Sequence, residues 1–165
     1  MGRLNHPSQC LVSRNPFLVV PFLALVMAYD DTKTENSLDK TGIYIAFPTS
    51  STIKSIYPQK QYKTMVNNQH TKVGIAKDSL RARKLSYLRT FDNEVEFVPI
   101  AVVEQEFLKS VEERIILEIR SRFSKVGKSR EWFHTSDRRK VFEIVSQILL
   151  ESNIEHELLW GDRAL

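Results

Sequence analysis

The sequence contains almost no cysteine, since Cys10 is the only one among 165 residues. A single thiol excludes an internal disulfide framework, and it excludes a zinc site built from several thiolates. The four histidines are scattered along the chain, and no two are spaced four residues apart. We therefore do not expect a histidine-rich metal site, and any bound metal ion must be held mainly by carboxylates and water.

The sequence also lacks an apolar run long enough to cross a membrane. The candidate at residues 17–28 is shorter than the ~20 residues that a spanning helix needs, and a proline interrupts it. Basic residues before this segment and small residues at its end are typical of a secretory signal peptide. Alternatively, the functional chain begins at Met27, and the residues before it are translated upstream sequence. We favour this second interpretation, which predicts a cytoplasmic protein, whereas the first predicts a secreted one. Neither predicts a membrane partner.

The excess of positive charge is small, because 24 Lys and Arg residues stand against 20 Asp and Glu residues. This balance agrees with a nucleic-acid partner without requiring one, since many enzymes that act on small anions are equally basic. Length and composition are those of one soluble globular domain. We place that domain at residues 40–150, after a non-domain segment at 1–39 and before a C-terminal tail at 151–165.

Three β-rich segments and three helical patterns follow one another within the predicted domain. The expected strands are Gly42–Phe47, Thr71–Ala76 and Glu94–Val103, with Pro99 at an edge or a bulge of the last one. The expected helices run from a cap at Asp78 or Ser79 to about Arg89, from Glu104 to Ser124, and onward from a cap at residues 135–137. The polar segment Thr49–His70 is expected to form a long loop. This order predicts a small α/β domain with too few strands for a doubly wound sheet.

The long helix predicted at Glu104–Ser124 has one acidic residue within its apolar face. At 100° per residue, that face is formed by Leu108, Ile115, Ile116, Ile119 and Phe123. Glu112 lies in the middle of this face, whereas Glu113 lies about 100° away from it. An ionised carboxylate on an apolar face is costly unless it has a partner. We therefore expect Glu112 either to pair with a buried lysine or arginine or to bind a metal ion.

Five short motifs occur in a characteristic order. They are Gly42-Ile43-Tyr44, Lys72-Val73-Gly74, a helix with Arg81 and Arg83, the helix with Glu112, and Arg130-Glu131-Trp132-Phe133. In this arrangement the segment from about Lys40 to Val145 resembles the GIY-YIG nuclease superfamily. It is most similar to the branch with a Glu-Trp-Phe motif, which includes some type II restriction endonucleases and stand-alone phage-type domains. The resemblance implies a three-stranded antiparallel sheet flanked by helices and a metal-dependent endonuclease.

By this resemblance, four residues form the catalytic site. Tyr44 would lie near the attacking water as general base or positioner. Lys72 stands where the family has its second tyrosine, and its charge would favour the phenolate form of Tyr44. Arg83 would stabilise charge on the phosphate, with Arg81 as the second candidate for this role. Glu112 would hold one Mg²⁺ or Mn²⁺ ion, with water and substrate phosphate as the other ligands.

Other residues of the motifs are expected to have supporting roles. Trp132 and Phe133 are predicted to lie in the core, and Glu131 or Arg130 is predicted to support the site. The missing side chain at Gly74 would let the substrate approach the backbone closely.

Basic residues outside the catalytic set are candidates for contacts with nucleic acid. They are Arg81, Lys54, Lys60, Lys63 and Arg130, and ordinary solvated side chains are an equally good interpretation of them. The sequence thus predicts a Mg²⁺-dependent endonuclease that acts on DNA, with a homodimer as one option. The alternative is a catalytically silent nucleic-acid-binding module with the same fold.

Overall fold

The computed structural model describes residues 35–56 and 63–159. The expectations for residues 17–28, for the start at Met27 and for Lys60 fall outside this part of the chain. Within it, strands and helices follow one another in the order β1 (Gly42–Pro48), β2 (Lys54–Ile56), β3 (Thr64–Val66), β4 (His70–Ala76), α1 (Leu80–Thr90), β5 (Val95–Val103), α2 (Gln105–Arg122), β6 (Trp132–His134), α3 (Arg138–Glu151) and β7 (His156–Leu158).

The three strands predicted from the sequence form the centre of the main sheet. β1 lies between β4 and β5 and pairs with both in antiparallel orientation. The predicted α/β class is therefore confirmed. The predicted number of strands is wrong, because β6 and β7 extend the sheet to five strands in the order β6-β4-β1-β5-β7. Each added strand has only 3 residues, too few for a visible alternation of apolar and polar positions.

β7 falls in the segment 151–165, which the sequence indicated to be a tail. It pairs with β5, and Leu158 lies opposite Ala101. Its middle residue, Glu157, accepts hydrogen bonds from Ser37 Oγ at 3.3 Å and from Lys40 Nζ at 3.4 Å. Residues 156–158 therefore belong to the sheet, and they also contact the segment that precedes β1.

A second, two-stranded sheet lies within the segment expected to form a long loop, Thr49–His70. β2 and β3 pair antiparallel, with Ser55 opposite Met65. Ile56 and Val66 are buried and pack into the domain, which anchors the hairpin. Because the rest of the segment is polar, its composition concealed this structure.

The register of β1 against β5 changes beside Pro99, where the sequence predicted an edge or a bulge of the sheet. Ile43 lies opposite Ala101, but Tyr44 lies opposite Pro99, so Ile100 is an extra residue in β5. This irregularity is a β-bulge, and the predicted bulge at Pro99 is confirmed.

One face of the main sheet is covered by α2 and α3. Ile43, Ile45 and Phe47 alternate along β1 and are buried against both helices. Four of the five apolar residues predicted for this face of α2, Leu108, Ile115, Ile116 and Ile119, are buried here, and Phe123 is partly buried. The residues that α3 buries are Val141, Phe142, Ile144, Val145, Ile148 and Leu149. Asp137 caps α3, since its side chain accepts a hydrogen bond from the amide of Lys140.

The opposite face of the sheet is covered by α1 and the β2–β3 hairpin. Tyr44 and Ala46 of β1 pack on this face. Ser79 caps α1 by accepting a hydrogen bond from the amide of Ala82 at 3.0 Å. Trp132 and Phe133 are both buried, one on each face, as predicted for core residues. No helix in the described residues is long and apolar enough to cross a membrane.

Candidate active site

Tyr44 is the centre of the candidate site and is nearly inaccessible to solvent. It lies in the middle of β1, opposite Gly74 of β4 and Pro99 of β5, and it is 2% exposed. Its ring stacks on Phe97 with centroids 4.7 Å apart and meets the edge of Tyr87 at 5.6 Å. The phenol is thus fixed by aromatic contacts on two sides.

Gly74 leaves the space that the Tyr44 ring occupies. A β-carbon at Gly74 would lie 2.8 Å from Tyr44 Oη, 3.0 Å from Tyr44 Cζ and 3.3 Å from Lys72 Cε. The first two distances are too short for an ordinary contact. Gly74 was expected to let the substrate approach the backbone. In the structure, the space left by its missing side chain is taken up by the hydroxyl end of Tyr44 and the end of the Lys72 side chain.

Lys72 is buried and already has a carboxylate partner. It lies opposite Trp132 in the β4–β6 pairing and is 3% exposed. Its ammonium group donates a hydrogen bond to Glu131, and the two form an ion pair. The predicted supporting role of Glu131 thus takes the form of a direct contact to Lys72. Because Glu131 offsets much of its charge, Lys72 is less effective as an activating cation than the sequence suggested.

The phenol of Tyr44 is held in its protonated form. Burial raises its pKa above the ordinary value and is the largest influence. The Lys72 ammonium, the hydrogen bond with Tyr87 and the Arg83 guanidinium lower the pKa, while the Glu131 carboxylate raises it. Lys72 therefore acts in the expected direction, but the expectation that it makes Tyr44 a phenolate is not met, because burial outweighs it.

α1 supplies two further residues of the site, Arg83 and Tyr87. They are four residues apart, so both lie on the same face of the helix. Tyr87 Oη lies 3.2 Å from Tyr44 Oη, a hydrogen bond in a buried setting. Arg83 is exposed, yet its positive charge lowers the pKa of the Tyr44 phenol. Tyr87 was missed by the sequence analysis, and its spacing from Arg83 was the signal that could have identified it.

Arg81, the second candidate for phosphate binding, is engaged elsewhere. Its guanidinium donates to Asp39 Oδ1 at 2.7 Å and to Glu35 Oε2 at 3.2 Å. Its backbone amide also bonds Leu38 O at 2.7 Å. Arg81 therefore fastens the segment before β1 to α1, and Arg83 is the arginine that lies at the site.

Glu112 is half-buried on α2, whereas Glu113 is exposed, as predicted from the helical geometry. Glu113 lies 3.6 Å from Arg130, but Glu112 makes no hydrogen bond or ion pair with the described residues. Burial raises the pKa of Glu112, and so does the nearby Glu131 carboxylate. The charges of Lys72, Arg130 and Lys77 lower it. The alternative expectation was that Glu112 pairs with a buried lysine or arginine. The buried Lys72 forms its ion pair with Glu131, but its positive charge still acts on Glu112.

Glu112 and Glu131 are the two carboxylates of the site that could contribute ligands to a divalent cation. In residues 35–56 and 63–159, no three His, Cys, Asp or Glu side chains are close enough to form a metal cage. Mg²⁺ does not require one, because it binds through one or two carboxylates and keeps several waters. Glu112 offers a carboxylate that has no hydrogen-bond or ion-pair partner in the described part of the chain, and the Glu131 carboxylate is near enough to shift its pKa.

The other basic residues have mixed environments. Lys54 donates to Asp92 at 2.7 Å and to the carbonyl of Phe91 at 2.9 Å, so it fixes the hairpin to the end of α1. Lys63 and Arg130 are exposed. The structure therefore assigns a structural contact to Lys54 and leaves Lys63 and Arg130 at the surface.

Two histidines that are far apart in the sequence meet across β4 and β6. His70 Nε2 lies 3.1 Å from His134 Nδ1, and His70 Nδ1 accepts a hydrogen bond from the amide of Asn67 at 3.0 Å. His134 is exposed, in agreement with the surface position predicted for it. The pair lies at the end of the strands beyond Lys72 and makes no recorded contact with Tyr44.

No profile of a known protein family, no curated protein and no solved structure matches this chain.

Proposed function

We propose that the protein is a Mg²⁺-dependent endonuclease that hydrolyses phosphodiester bonds in DNA. The proposal rests on one observation above all. Among the described residues, Glu112 is a half-buried carboxylate that makes no hydrogen bond or ion pair. The charges of Lys72 and Glu131, which form an ion pair close to the buried Tyr44, both act on its pKa. A charge in such a place is costly unless it serves a ligand. The sequence resemblance to GIY-YIG nucleases assigns the same residues to the reaction.

Arg83 is the residue best suited to bind the phosphate. It is exposed, it lies on the same helix face as Tyr87, and its charge reaches Tyr44. A guanidinium donates two parallel hydrogen bonds to a phosphate and keeps its charge at every relevant pH. Arg83 would hold the scissile phosphate and stabilise the charge that develops on it.

Glu112 would hold the metal ion, with Glu131 as the nearest additional carboxylate. Mg²⁺ bound there would withdraw negative charge from the phosphate and help to order the attacking water. The raised pKa of Glu112 agrees with this role, because a cation would favour the ionised carboxylate that burial now disfavours.

Tyr44 would orient the attacking water as a neutral phenol. Its raised pKa keeps the proton on Oη at neutral pH. Its hydroxyl and that of Tyr87, 3.2 Å away, can donate and accept at the same time. This role differs from that of a phenolate base and requires only that the hydroxyl keep its position. The Lys72–Glu131 pair would hold β4 and β6 in register around the phenol.

The test is cleavage of supercoiled plasmid by the full chain. With Mg²⁺ or Mn²⁺ we expect conversion to nicked and linear forms, and with EDTA we expect none. Equal cleavage in EDTA would contradict the metal-dependent proposal. The products of a short labelled duplex, resolved on a denaturing gel, locate the broken bonds.

A second candidate function is a catalytically silent nucleic-acid-binding module. The observation in its favour is that Tyr44 is 2% exposed while Lys72 is neutralised by Glu131. This candidate predicts DNA binding that weakens steeply with salt, because phosphate contacts release counterions. Gel shifts at several salt concentrations, without cleavage in Mg²⁺, would favour it over the nuclease.

A further inference from the structure

A cavity of about 250 Å³ opens beside Tyr44, between α1, the β2–β3 hairpin and β6. Its floor is formed by the buried residues Ile56, Tyr87, Phe91 and Trp132. The three rings form a continuous aromatic surface, with centroids 6.1 Å apart from Tyr87 to Phe91 and 6.0 Å apart from Phe91 to Trp132. This floor favours a flat, largely apolar group that stacks on aromatic rings.

The rim of the same cavity is polar. It is formed by Arg83, Ser86 and Thr90, which are exposed and lie on one side of α1. The rim thus carries two hydroxyls and a guanidinium, which can bond the polar edge of a ligand whose flat face lies deeper.

The cavity shares two residues with the candidate active site. Tyr87 lines the cavity and bonds Tyr44 at 3.2 Å, while Arg83 lies on the rim and acts on the Tyr44 phenol. A group in the cavity would therefore belong to the nucleotide next to the phosphate that Arg83 holds.

We infer that this cavity binds an unpaired nucleobase adjacent to the scissile phosphate, an inference that rests on the proposed nuclease function. A base is flat, apolar on its faces and polar at its edge, as the floor and the rim require. A base stacked in an intact duplex cannot enter, so the site selects DNA with an unpaired or extruded nucleotide at the cleavage position. The cavity is smaller than the pockets that enclose whole drug-sized ligands, and it fits one ring system.

The test measures binding in EDTA, so that it is independent of cleavage. Two labelled duplexes are compared, one fully paired and one with a single unpaired 2-aminopurine. We expect the protein to bind the second about tenfold or more tightly, the effect of one base stacked on aromatic side chains. The 2-aminopurine fluorescence should change on binding, because its stacking partners change.

Variants that fill the cavity provide the specific control. Ser86→Phe and Thr90→Phe place a ring in the mouth, and both positions are exposed, so the fold should tolerate them. Each should abolish the preference for the unpaired base, so that the two duplexes bind with about equal affinity. Ser110→Phe makes the same change at an exposed position of α2 and should retain the preference. Circular dichroism checks that all three variants are folded.

The outcomes separate this inference from the proposed function. Equal affinity for the two duplexes, binding of neither, or a preference that survives in both cavity variants would overturn the inference. If the preference is found but neither duplex is cut in Mg²⁺ or Mn²⁺, the inference that the cavity binds a base holds and the nuclease proposal fails. If both duplexes are cut at equal rates and bound equally, the nuclease proposal holds and the inference about the cavity fails.

Discussion

The two faces of the central sheet are built by alternate residues of the same strands, yet they differ in character. Under α2 and α3, Ile43, Ile45 and Phe47 join the larger of the two clusters of buried apolar side chains. Under α1, Tyr44 lies beside the ion pair formed by the buried Lys72 and the partly exposed Glu131. A strand alternates its side chains between faces, so neighbouring residues of β1 can serve stability and chemistry separately. Substitutions at adjacent positions should therefore have different consequences.

The largest expected effect concerns the acidic pair of α2, whose members face different environments. Glu112→Gln should reduce cleavage below detection, because the amide keeps the shape of the side chain but removes the charge that would bind the metal. Glu113→Gln is the matched control and should cleave at the normal rate, since Glu113 is exposed and lies 3.6 Å from Arg130, away from the apolar face of α2. A rate assay on plasmid compares them. An inactive Glu113→Gln with an active Glu112→Gln would reverse the assignment.

The next test compares neighbouring residues of β1. Tyr44→Phe should slow cleavage by about 100-fold or more, as for loss of one catalytic hydrogen-bonding group. It should change the free energy of unfolding by no more than about 1 kcal/mol, because it removes one hydrogen bond, to Tyr87. Ile45→Ala should lower that free energy by about 2–5 kcal/mol and leave the rate of the folded fraction unchanged. Urea unfolding and single-turnover cleavage measure the two quantities. Slow cleavage by folded Ile45→Ala would contradict the separation of the two faces.

A third prediction concerns the ion pair of Lys72 and Glu131. Lys72→Met leaves Glu131 near Glu112 without this cation, and Glu131→Gln removes the carboxylate from the buried ammonium of Lys72. Each should lower the free energy of unfolding by up to about 3 kcal/mol, the low end for buried pairs. The loss is limited because the Glu131 side chain is 35% exposed. The double variant should lose less than the sum of the two. Lys63→Met, at an exposed lysine, is the control. Additive losses in urea unfolding would show that the pair is not coupled.

The smallest expected effect is on the pH dependence of stability. The pKa of Glu112 is raised by burial, so its ionisation in the folded protein opposes folding. Wild-type protein should therefore lose stability relative to Glu112→Gln as the pH rises from below the ordinary glutamate range through the raised pKa. The variant should be the more stable at pH 8, and the gap should close at low pH, where Glu112 is protonated in both states. Unfolding in urea at several pH values without metal measures this gap, and a gap that widens at low pH would contradict it.

The parts of the fold that could be predicted from the sequence are those encoded by local patterns. The apolar stripe of α2 predicted the correct buried face, and Ser79 and Asp137, which lie among the expected cap positions, cap their helices. The orientation of Glu112 relative to Glu113 also followed from helical geometry alone. β6 and β7 were missed because strands of 3 residues have no periodicity of their own. They exist because β4 and β5 offer free backbone groups with which to pair.

The missed parts of the site depend on contacts between distant residues. Lys72 pairs with Glu131, 59 positions later, and Tyr44 bonds Tyr87, 43 positions later. No local pattern encodes either contact. The pKa of Tyr44 could not be predicted for the same reason, since its largest cause is burial by Phe97 and other side chains of the assembled domain. The sequence indicated which residue types belong to the site, but not which of them neutralise each other.

Glu157 has a consequence that extends beyond the site. It accepts hydrogen bonds from Ser37 and Lys40, so the segment before β1 and the segment at β7 lie side by side. A domain whose entry and exit are adjacent can be inserted into a surface loop of another protein without distorting either one. The fold is therefore suited to insertion into another protein by gene fusion. Because residues 37 and 40 lie against residue 157, protein segments fused on either side of the domain would start close to each other.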